Sequence, residues 1–231
     1  MKKIKHVFFD LDRTLWDFES NSEATLKELF LEFKLTEKLG VADDDFIREY
    51  KRINEIFWED YRKGTIKKEY LRYGRFDTSL KFFGHSDKEM ASEIGDLYIA
   101  RSPRKTGLVD GCIEVLEYLK PKYHLHIITN GFEEVQHIKM ESSGLTPYFQ
   151  NIITSESAGA QKPSKVIFHH AEELTGALSH NSIMIGDHYE ADVIGAIDSE
   201  WKAILYEPDQ PKMENDEYIH IHHLKELLEI L

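Results

Sequence analysis

Two aspartates separated by one residue follow a short apolar run near the start of the chain. Val7, Phe8 and Phe9 precede Asp10 and Asp12, and such a run is typical of a strand buried on both faces. A carboxylate at a buried strand end is costly without a partner, and two close carboxylates repel one another. The pair therefore indicates a divalent cation, and oxygen ligands favour Mg²⁺. Taken alone, however, an Asp-x-Asp sequence is better explained as an ordinary β–α turn.

A second polar group stands at the end of the predicted strand at 124–129. Thr129, Asn130 and Gly131 provide a hydroxyl, an amide and a glycine that lets backbone N–H groups approach a ligand. This combination suits an oxyanion, and the start of the next helix favours the same charge. An ordinary helix cap explains the three residues equally well.

Two further strand ends carry charged side chains. Lys162 stands before Pro163, at the start of a predicted helix, and Asp187 ends the apolar run at 182–185, five residues before Asp192. Alone, the lysine could be solvated and the aspartates could serve the helix dipole. The carboxyl ends of parallel strands meet at one edge of a sheet, where ligands bind. Four polar strand ends together make chance placement improbable.

Strands alternate with helices from residue 105 onward, which predicts an α/β fold with a Rossmann-like, doubly wound parallel sheet. Residues 17–104 show only helical periodicity. We therefore predict two domains: a core domain of residues 1–16 and 105–231, and an inserted all-helical cap domain of residues 17–104. The predicted strands are 4–9, 124–129, 151–154, 182–185 and 202–206.

Several helix starts can be predicted within and after the insertion. Ser20 or Asn21 can cap the first helix, Asp43–Asp45 the second, and the capping box at 86–89 opens another. The last predicted helix covers 223–231.

Composition excludes several classes of protein. The chain has 231 residues and a formal net charge of −13, which argues against binding to nucleic-acid polymers or anionic membranes. The single cysteine, Cys112, excludes an internal disulfide and fits a reducing compartment. No apolar signal segment follows the basic residues at 1–5. We expect a cytoplasmic protein, a monomer or weak homodimer, that acts on a small molecule.

The four motifs, in this order and spacing, resemble the haloacid dehalogenase-like (HAD) hydrolase superfamily. The resemblance covers the whole chain, including a helical cap of the C1 type inserted after the first motif. It implies a strand order like 5-4-1-2-3 and a Mg²⁺-dependent phosphatase. In true dehalogenases the first motif resembles Asp-x-Tyr, so the presence of Asp12 argues against dehalogenase activity.

The resemblance also implies a role for each motif residue. Asp10 is the nucleophile that becomes an aspartyl phosphate, and Asp12 is the general acid and base. Mg²⁺ is held by Asp10, the backbone carbonyl of Asp12, and Asp187. The remaining roles are phosphate binding by Thr129, Asn130 and Lys162, neutralisation of the nucleophile by Lys162, loop stabilisation by Thr14, and orientation of Lys162 or a metal-bound water by Asp192.

The chain departs from the superfamily pattern around its fourth motif. His188 and Glu190-Ala191 stand where small polar residues are common, which leaves open whether Asp192 touches the metal. A solvated loop position is expected for His188. The cluster at 220–223 is predicted to lie on the surface, and His124 and His126 are predicted to be structural.

The segment after the first motif resembles the branch of bacterial nucleotidases that remove noncanonical pyrimidine nucleotides. Trp16 and Phe18 either stack on a base or pack near the junction with the cap. The cap adds residues suited to a base and a sugar, although Trp58 and Phe76 are better explained as packing: Trp58, Tyr61, Arg62, Arg72, Tyr73, Arg75 and Phe76.

The expected substrate is therefore a nucleoside 5′-monophosphate, with pyrimidine and deoxy forms preferred. The alternative substrates are phosphoglycolate and sugar phosphates. Two other functions remain open, a phosphotransferase of the phosphomutase type and a phosphometabolite-binding protein without catalysis. Phosphate release without an acceptor separates the first from a phosphatase, and inactivity across a phosphoester panel would favour the second.

Overall fold

The chain forms two compact units. A computed structural model describes residues 4–211 and 216–231, so Met1–Lys3 of the basic start lie outside the described residues. The core unit comprises Met1–Phe18 and Thr106–Leu231, and the helical unit comprises Glu19–Lys105. The observed junctions lie within two residues of those expected from the sequence.

The helical unit contains five α-helices around an aromatic and aliphatic core. Asp87 caps the last of them as predicted, since its side chain accepts a hydrogen bond from Met90 N at 2.9 Å. The helices are α1 (Phe18–Glu32), α2 (Leu35–Leu39), α3 (Asp43–Arg62), α4 (Lys68–Phe82) and α5 (Lys88–Arg101).

Two predicted helix caps are wrong. Helix α1 begins at Phe18, which places Ser20 and Asn21 inside its first turn. Asp43–Asp45 form the first turn of α3, and Ala42 occupies the cap position. The three aspartates interact favourably with the helix dipole from that turn, so their acidity marks the helix start without capping it.

Part of the aromatic set of the helical unit is used for packing. Phe76 is fully buried, and its ring stacks on Tyr50 with centroids 4.8 Å apart. The buried guanidinium of Arg75 lies 5.0 Å from the ring of Tyr98 and donates a hydrogen bond to Asn54 at 2.6 Å. Both side chains therefore belong to the interior of this unit.

The core unit is built on a six-stranded parallel sheet with the order β3-β2-β1-β4-β5-β6. This order confirms the predicted doubly wound α/β class and the arrangement 5-4-1-2-3. The sixth strand was not predicted, because it has only three residues. The strands are β1 (His6–Phe9), β2 (His124–Thr129), β3 (Asn151–Thr154), β4 (Ser182–Gly186), β5 (Lys202–Tyr206) and β6 (Ile219–Ile221).

Helices cover both faces of the sheet, which explains why β1 is apolar at successive positions. Phe9 belongs to one buried cluster with Leu116, and Phe8 belongs to the opposite one with Phe168 and Trp201. Successive side chains of a strand point to opposite faces, so both clusters are anchored by one short strand.

No described helix is long and apolar enough to cross a bilayer. The predicted final helix is wrong in extent, because Leu224–Glu226 form a 3₁₀ turn before it. A π-helix (Tyr189–Ile194) follows β4. The α-helices are α6 (Cys112–Leu119), α7 (Glu133–Ser142), α8 (Ser155–Ala158), α9 (Lys165–Thr175), α10 (Gly195–Asp198) and α11 (Leu227–Ile230).

Histidines of β1 and β2 stack on one another inside the sheet. His6 Nδ1 lies 3.2 Å from His126 Nε2, and Asn151 Nδ2 lies 3.1 Å from His126 Nδ1. Burial lowers the pKa of His126 to about 3, helped by the neighbouring charges of His6 and His124. The folded protein therefore holds His126 neutral.

We expect this histidine to make the core unit less stable in mild acid. The pKa of His126 is lower in the folded than in the unfolded state, so the unfolded state takes up a proton first. The free energy of unfolding is therefore highest above pH 6.5 and falls as the pH is lowered toward 3. One such group costs about 1.4 kcal/mol of unfolding free energy per pH unit in that range. His126→Asn removes the titration, so urea unfolding between pH 7 and about pH 5 should show a shallower slope.

The control is His180→Asn, because His180 is exposed. This variant should retain the wild-type slope. An unchanged slope in His126→Asn would contradict the assignment of acid sensitivity to His126.

Candidate active site

The register of the sheet brings the predicted residues to one edge. Phe9 pairs with Ile127 of β2 and with Ile185 of β4. Asp10 follows directly, and its backbone N donates to Ile185 O at 2.9 Å. Thr129 ends β2 and Gly186 ends β4, so the first, second and fourth motifs all leave the sheet at the carboxyl ends of adjacent strands.

The side chain of Lys162 occupies the centre of this edge. Its Nζ donates to Asp10 Oδ1 at 2.6 Å, to Asp192 Oδ1 at 2.6 Å and to the carbonyl of Ile128 at 2.8 Å. These acceptors use all three ammonium hydrogens. Only 2% of the side chain is exposed, so the charge is stable because it is both paired and fully hydrogen-bonded.

Asn130 holds the backbone of Lys162 in place. The amide Nδ2 of Asn130 donates to Lys162 O at 3.0 Å, and Lys162 N donates to Asn130 Oδ1 at 2.8 Å. This contact was not predicted, since the resemblance implied only a phosphate-binding N–H for Asn130. The second motif therefore positions the lysine of the third.

The fourth motif positions the acceptors. Asp192 Oδ2 accepts from His188 N at 3.0 Å, while His188 Nδ1 accepts from Ala191 N at 3.3 Å. His188 was predicted at a solvated loop position; it is half-buried and caps the π-helix. A Cβ on Gly186 would lie 2.2 Å from Asp192 Oδ2, so this position requires glycine. Both Asp192 oxygens already accept hydrogen bonds.

Asp187 is held by the first motif. Thr14 is fully buried and donates through Oγ1 to Asp187 Oδ1 at 3.2 Å. Burial raises the pKa of Asp187 well above its ordinary value, and the charges of Asp10 and Asp192 raise it further. Burial also raises the pKa of Asp10 to about 7, although Lys162 opposes this shift.

These carboxylates lack sufficient positive charge. Burial alone would lower the pKa of Lys162, but Asp10 and Asp192 outweigh it and hold the ammonium charged. The charges of Lys162 and Arg13 thus face three acidic groups, and Asp10 and Asp187 have the hard oxygens that suit a divalent cation. No group of three His, Cys, Asp or Glu side chains suited to a metal occurs among residues 4–211 and 216–231. The predicted set has only two carboxylates and a backbone carbonyl.

The hydroxyl of Thr129 is prepared to donate. Its Oγ1 accepts from Gly131 N at 3.1 Å and from Gln136 Nε2 at 3.1 Å. Two accepted bonds use its lone pairs, so its hydrogen can be donated to a ligand. A Cβ on Gly131 would lie 1.5 Å from Gln136 Nε2. The glycine therefore makes room for Gln136, a different reason from the predicted approach of the ligand.

Two residues of α7 that sequence reasoning missed contact Asp12. Gln136 Nε2 donates to Asp12 Oδ2 at 2.9 Å, and Lys139 Nζ donates to Asp12 Oδ1 at 2.5 Å. Both side chains are buried and lie on one helix face with Met140. Polar residues on a buried face require partners, but the alternative apolar stripe of Val135 and Ile138 obscured this signal.

The aromatic residues after the first motif lie close to these cations. Trp16 is fully buried, and Lys139 Nζ lies 4.5 Å from its ring centroid. The half-buried ring of Phe18 has the Arg13 guanidinium 4.7 Å from its centroid. Arg13 adopts a left-handed conformation, with φ of 64°. The burial of Trp16 favours its packing interpretation over contact with a base.

The histidine cluster at 220–223 lies in β6 and directly after it. The predicted surface position is wrong for His220, which is buried in β6 with its Nε2 3.5 Å from Glu207 Oε2. His222 Nδ1 lies 2.8 Å from the carbonyl of Glu207. These contacts connect β6 to the end of β5.

Comparison with known proteins agrees with this arrangement of motifs. A family model of the haloacid dehalogenase-like hydrolases matches residues 4–199. The chain belongs to this family.

Relatives of the HAD-like chain include two named nucleotidases. The chain is 30% identical to the pyrimidine 5′-nucleotidase YjjG of Escherichia coli, over 84% of this chain and 81% of that protein. It is 29% identical to the pyrimidine 5′-nucleotidase PynA of Streptococcus pneumoniae, over 88% of this chain and 84% of that protein. These similarities confirm the predicted family branch and the enzyme class, a phosphoric monoester hydrolase.

A solved HAD-like structure covers nearly the whole chain. The HAD-hydrolase YfnB of Bacillus subtilis, described as bound to magnesium, has a TM-score of 0.89 at 27% identity and covers 99% of both chains. The likeness supports the fold along the full HAD-like chain.

We expect removal of the buried ammonium to destabilise the HAD-like core strongly. Lys162→Met leaves Asp10 and Asp192 buried without their shared counter-charge, which should lower the unfolding free energy by about 3–5 kcal/mol at pH 7 in chelator. Chemical denaturation measures this difference. Lys165→Met is the matched control, because Lys165 is exposed, and a loss below about 1 kcal/mol is expected.

Adding Asp192→Asn to Lys162→Met should recover part of the loss, since one uncompensated charge is removed. Equal stability of Lys162→Met and Lys165→Met would contradict the central role of the ion pair.

Proposed function

We propose that the chain is a Mg²⁺-dependent cytoplasmic phosphatase that hydrolyses nucleoside 5′-monophosphates, with pyrimidine and deoxy forms preferred. The proposal rests on the ammonium of Lys162, which donates three hydrogen bonds, one of them to Asp10. A second carboxylate, Asp12, lies two residues after Asp10. The nucleotidase names of two relatives support the substrate class.

The first chemical step uses Asp10 as the nucleophile. Lys162 fixes Asp10 Oδ1, which orients Oδ2 for attack on phosphorus. The Oδ2–phosphorus bond forms while the bond from phosphorus to the leaving oxygen breaks. Lys162, the Thr129 hydroxyl and backbone N–H groups offset the repulsion between carboxylate and phosphate, so catalysis is mostly positioning and electrostatics.

Asp12 transfers the proton in both half-reactions. It protonates the leaving oxygen in the first step, which releases the alcohol. In the second step it takes a proton from the water that attacks phosphorus. The bond between phosphorus and Asp10 then breaks, and inorganic phosphate leaves.

Asp10, Asp187 and the backbone carbonyl of Asp12 would hold Mg²⁺. When bound, the ion supplies the positive charge that Asp10 and Asp187 lack and withdraws charge from the phosphate oxygens. The raised pKa values of Asp10 and Asp187 support this fit, since both reflect burial beside other acids.

The substrate preference draws on the segment after the first motif. Phe18 is only half-buried and lies beside Arg13, a pairing of ring and guanidinium that suits contact with a flat polar base. Trp16 is fully buried and enters the proposal only as support for this segment.

We expect turnover to require Mg²⁺ and to be lost in excess chelator. Ca²⁺ should substitute poorly, because it is larger and tolerates looser coordination. Asp187→Ala should raise the Mg²⁺ concentration needed for half-maximal activity by about tenfold or more, which corresponds to about 1.4 kcal/mol of ion binding. Calorimetric titration of Mg²⁺ provides a readout independent of turnover.

Asp10→Asn serves as the inactive control for contaminating phosphatases, since the amide is a poor nucleophile. Full activity in chelator would contradict the metal requirement.

The substrate proposal predicts a ranking of kcat/KM. Deoxyuridine and thymidine monophosphates should exceed phosphoglycolate and sugar phosphates by about tenfold, or about 1.4 kcal/mol of transition-state preference. Phe18→Ala should reduce kcat/KM for nucleotides selectively. The measurement is phosphate release across a substrate panel without an added acceptor, which also detects a phosphotransferase.

A tenfold advantage for the small phosphates would overturn the nucleotidase assignment while leaving the phosphatase class intact. Equal losses for all substrates in Phe18→Ala would indicate packing near the junction.

A further inference from the structure

Lys139 and Gln136 each donate a hydrogen bond to a different oxygen of the Asp12 carboxylate. Lys139 Nζ binds Oδ1 at 2.5 Å and Gln136 Nε2 binds Oδ2 at 2.9 Å. One donor on each oxygen fixes the plane of a carboxylate, which a single contact cannot do. Asp12 itself is partly exposed, with 26% of its side chain accessible, against 7% for Lys139. The two donor side chains are therefore more deeply buried than the carboxylate that they hold.

The surroundings of Lys139 direct its ammonium toward Asp12. The ring centroid of Trp16 lies 4.5 Å from Nζ and that of Phe18 lies 6.0 Å away. A cation over an aromatic face gains electrostatic attraction without a hydrogen bond. The rings therefore support the ammonium while its hydrogen-bonding capacity serves the carboxylate.

Gln136 connects the same carboxylate to the predicted phosphate-binding hydroxyl. Its Nε2 donates to both Asp12 Oδ2 and Thr129 Oγ1, at 2.9 and 3.1 Å. Gly131 leaves the space that the amide fills. Lys139, Gln136 and the space left by Gly131 therefore all contribute to the orientation of Asp12.

We infer that Lys139 is a positioning residue for phosphoryl transfer, which acts by holding Asp12 in the orientation for proton exchange. The inference rests on the proposed role of Asp12 as general acid and base. Lys139 contacts neither the nucleophile Asp10 nor Lys162 among the described residues, so its effect should be confined to the steps that need Asp12.

The test compares Lys139→Met on two substrates. Nitrophenyl phosphate has a leaving group that needs little protonation, whereas the best alkyl phosphomonoester of the panel needs a proton. Positioned acids contribute about 10²–10⁴-fold to such steps. We expect kcat/KM for the alkyl ester to fall at least about tenfold and kcat/KM for the aryl ester to change less than about threefold. This ratio reports only the first half-reaction, because the later attack of water on the intermediate is common to both substrates.

Matched variants separate positioning from folding. Lys122→Met is the control, because Lys122 Nζ also lies over an aromatic ring, 3.0 Å from the centroid of Tyr118, and belongs to the same unit. It should leave both substrates unaffected. Lys139→Gln keeps a donor at the site and replaces Lys139→Met if thermal melting shows that the latter is unfolded. Lys139→Arg should restore part of the alkyl-ester rate.

The decisive comparison is a double-mutant cycle with Asp12→Asn. Once Asp12 cannot exchange a proton, Lys139→Met should cause little further loss. Equal losses on both substrates, or a full additional loss in the Asp12→Asn background, would overturn the inference. If Asp12→Asn lowers activity on the alkyl and aryl esters equally, the proposed acid role of Asp12 fails, and the role of Lys139 fails with it. If Asp12→Asn lowers activity mainly on the alkyl ester but Lys139→Met does not, only the inference about Lys139 is wrong.

Discussion

The buried ammonium of Lys162 is the interaction on which the candidate site depends. It joins the end of β1, through Asp10, to the π-helix, through Asp192, and to the backbone at Ile128. A buried ion pair adds little stability compared with apolar packing, but loss of one member is severe. The site therefore constrains the core: Asn130 must hold the lysine backbone, and Gly186 must leave space for Asp192.

A second lysine holds the second acid under different conditions. Lys162 is enclosed and fully hydrogen-bonded, whereas Lys139 meets one carboxylate and the faces of aromatic rings. The first arrangement suits a group that keeps its position while phosphorus changes partners. The second, with Asp12 partly exposed, suits a group that exchanges protons with the leaving group and with water. Under the proposed mechanism, Lys162 would stabilise charge and Lys139 would orient the acid and base.

The sequence predicts the sheet and the principal motifs because each depends on local signals. Apolar runs that stop at Asp10, Thr129 and Asp187 mark strand ends, and the parallel fold brings those ends together. The contacts of Gln136 and Lys139 could not be predicted in this way. Their helix has an alternative apolar stripe, and their partner lies more than a hundred residues earlier in the chain.

Other differences from prediction have equally specific causes. Strand β6 is short, and His220 within it is buried beside Glu207, between two isoleucines of the strand. Ser20 and Asn21 have the residue types of helix caps, yet α1 begins earlier at Phe18. Residue type alone does not show where a chain enters a helix. The residues that precede this helix, Leu15 and Trp16, belong to the buried cluster of the core unit.

The place where the chain leaves the core unit and returns to it has a consequence for modularity. Asp17 N donates to Gly107 O at 3.1 Å, and Val109 N donates to Leu15 O at 2.9 Å. These bonds form a miniature two-stranded ladder at the base of the insertion, so the two ends are already adjacent within the core itself. Closing a loop between fixed neighbours depends only weakly on its length. Insertions of different size can therefore be exchanged at this point during evolution or engineering, while the catalytic sheet keeps its register.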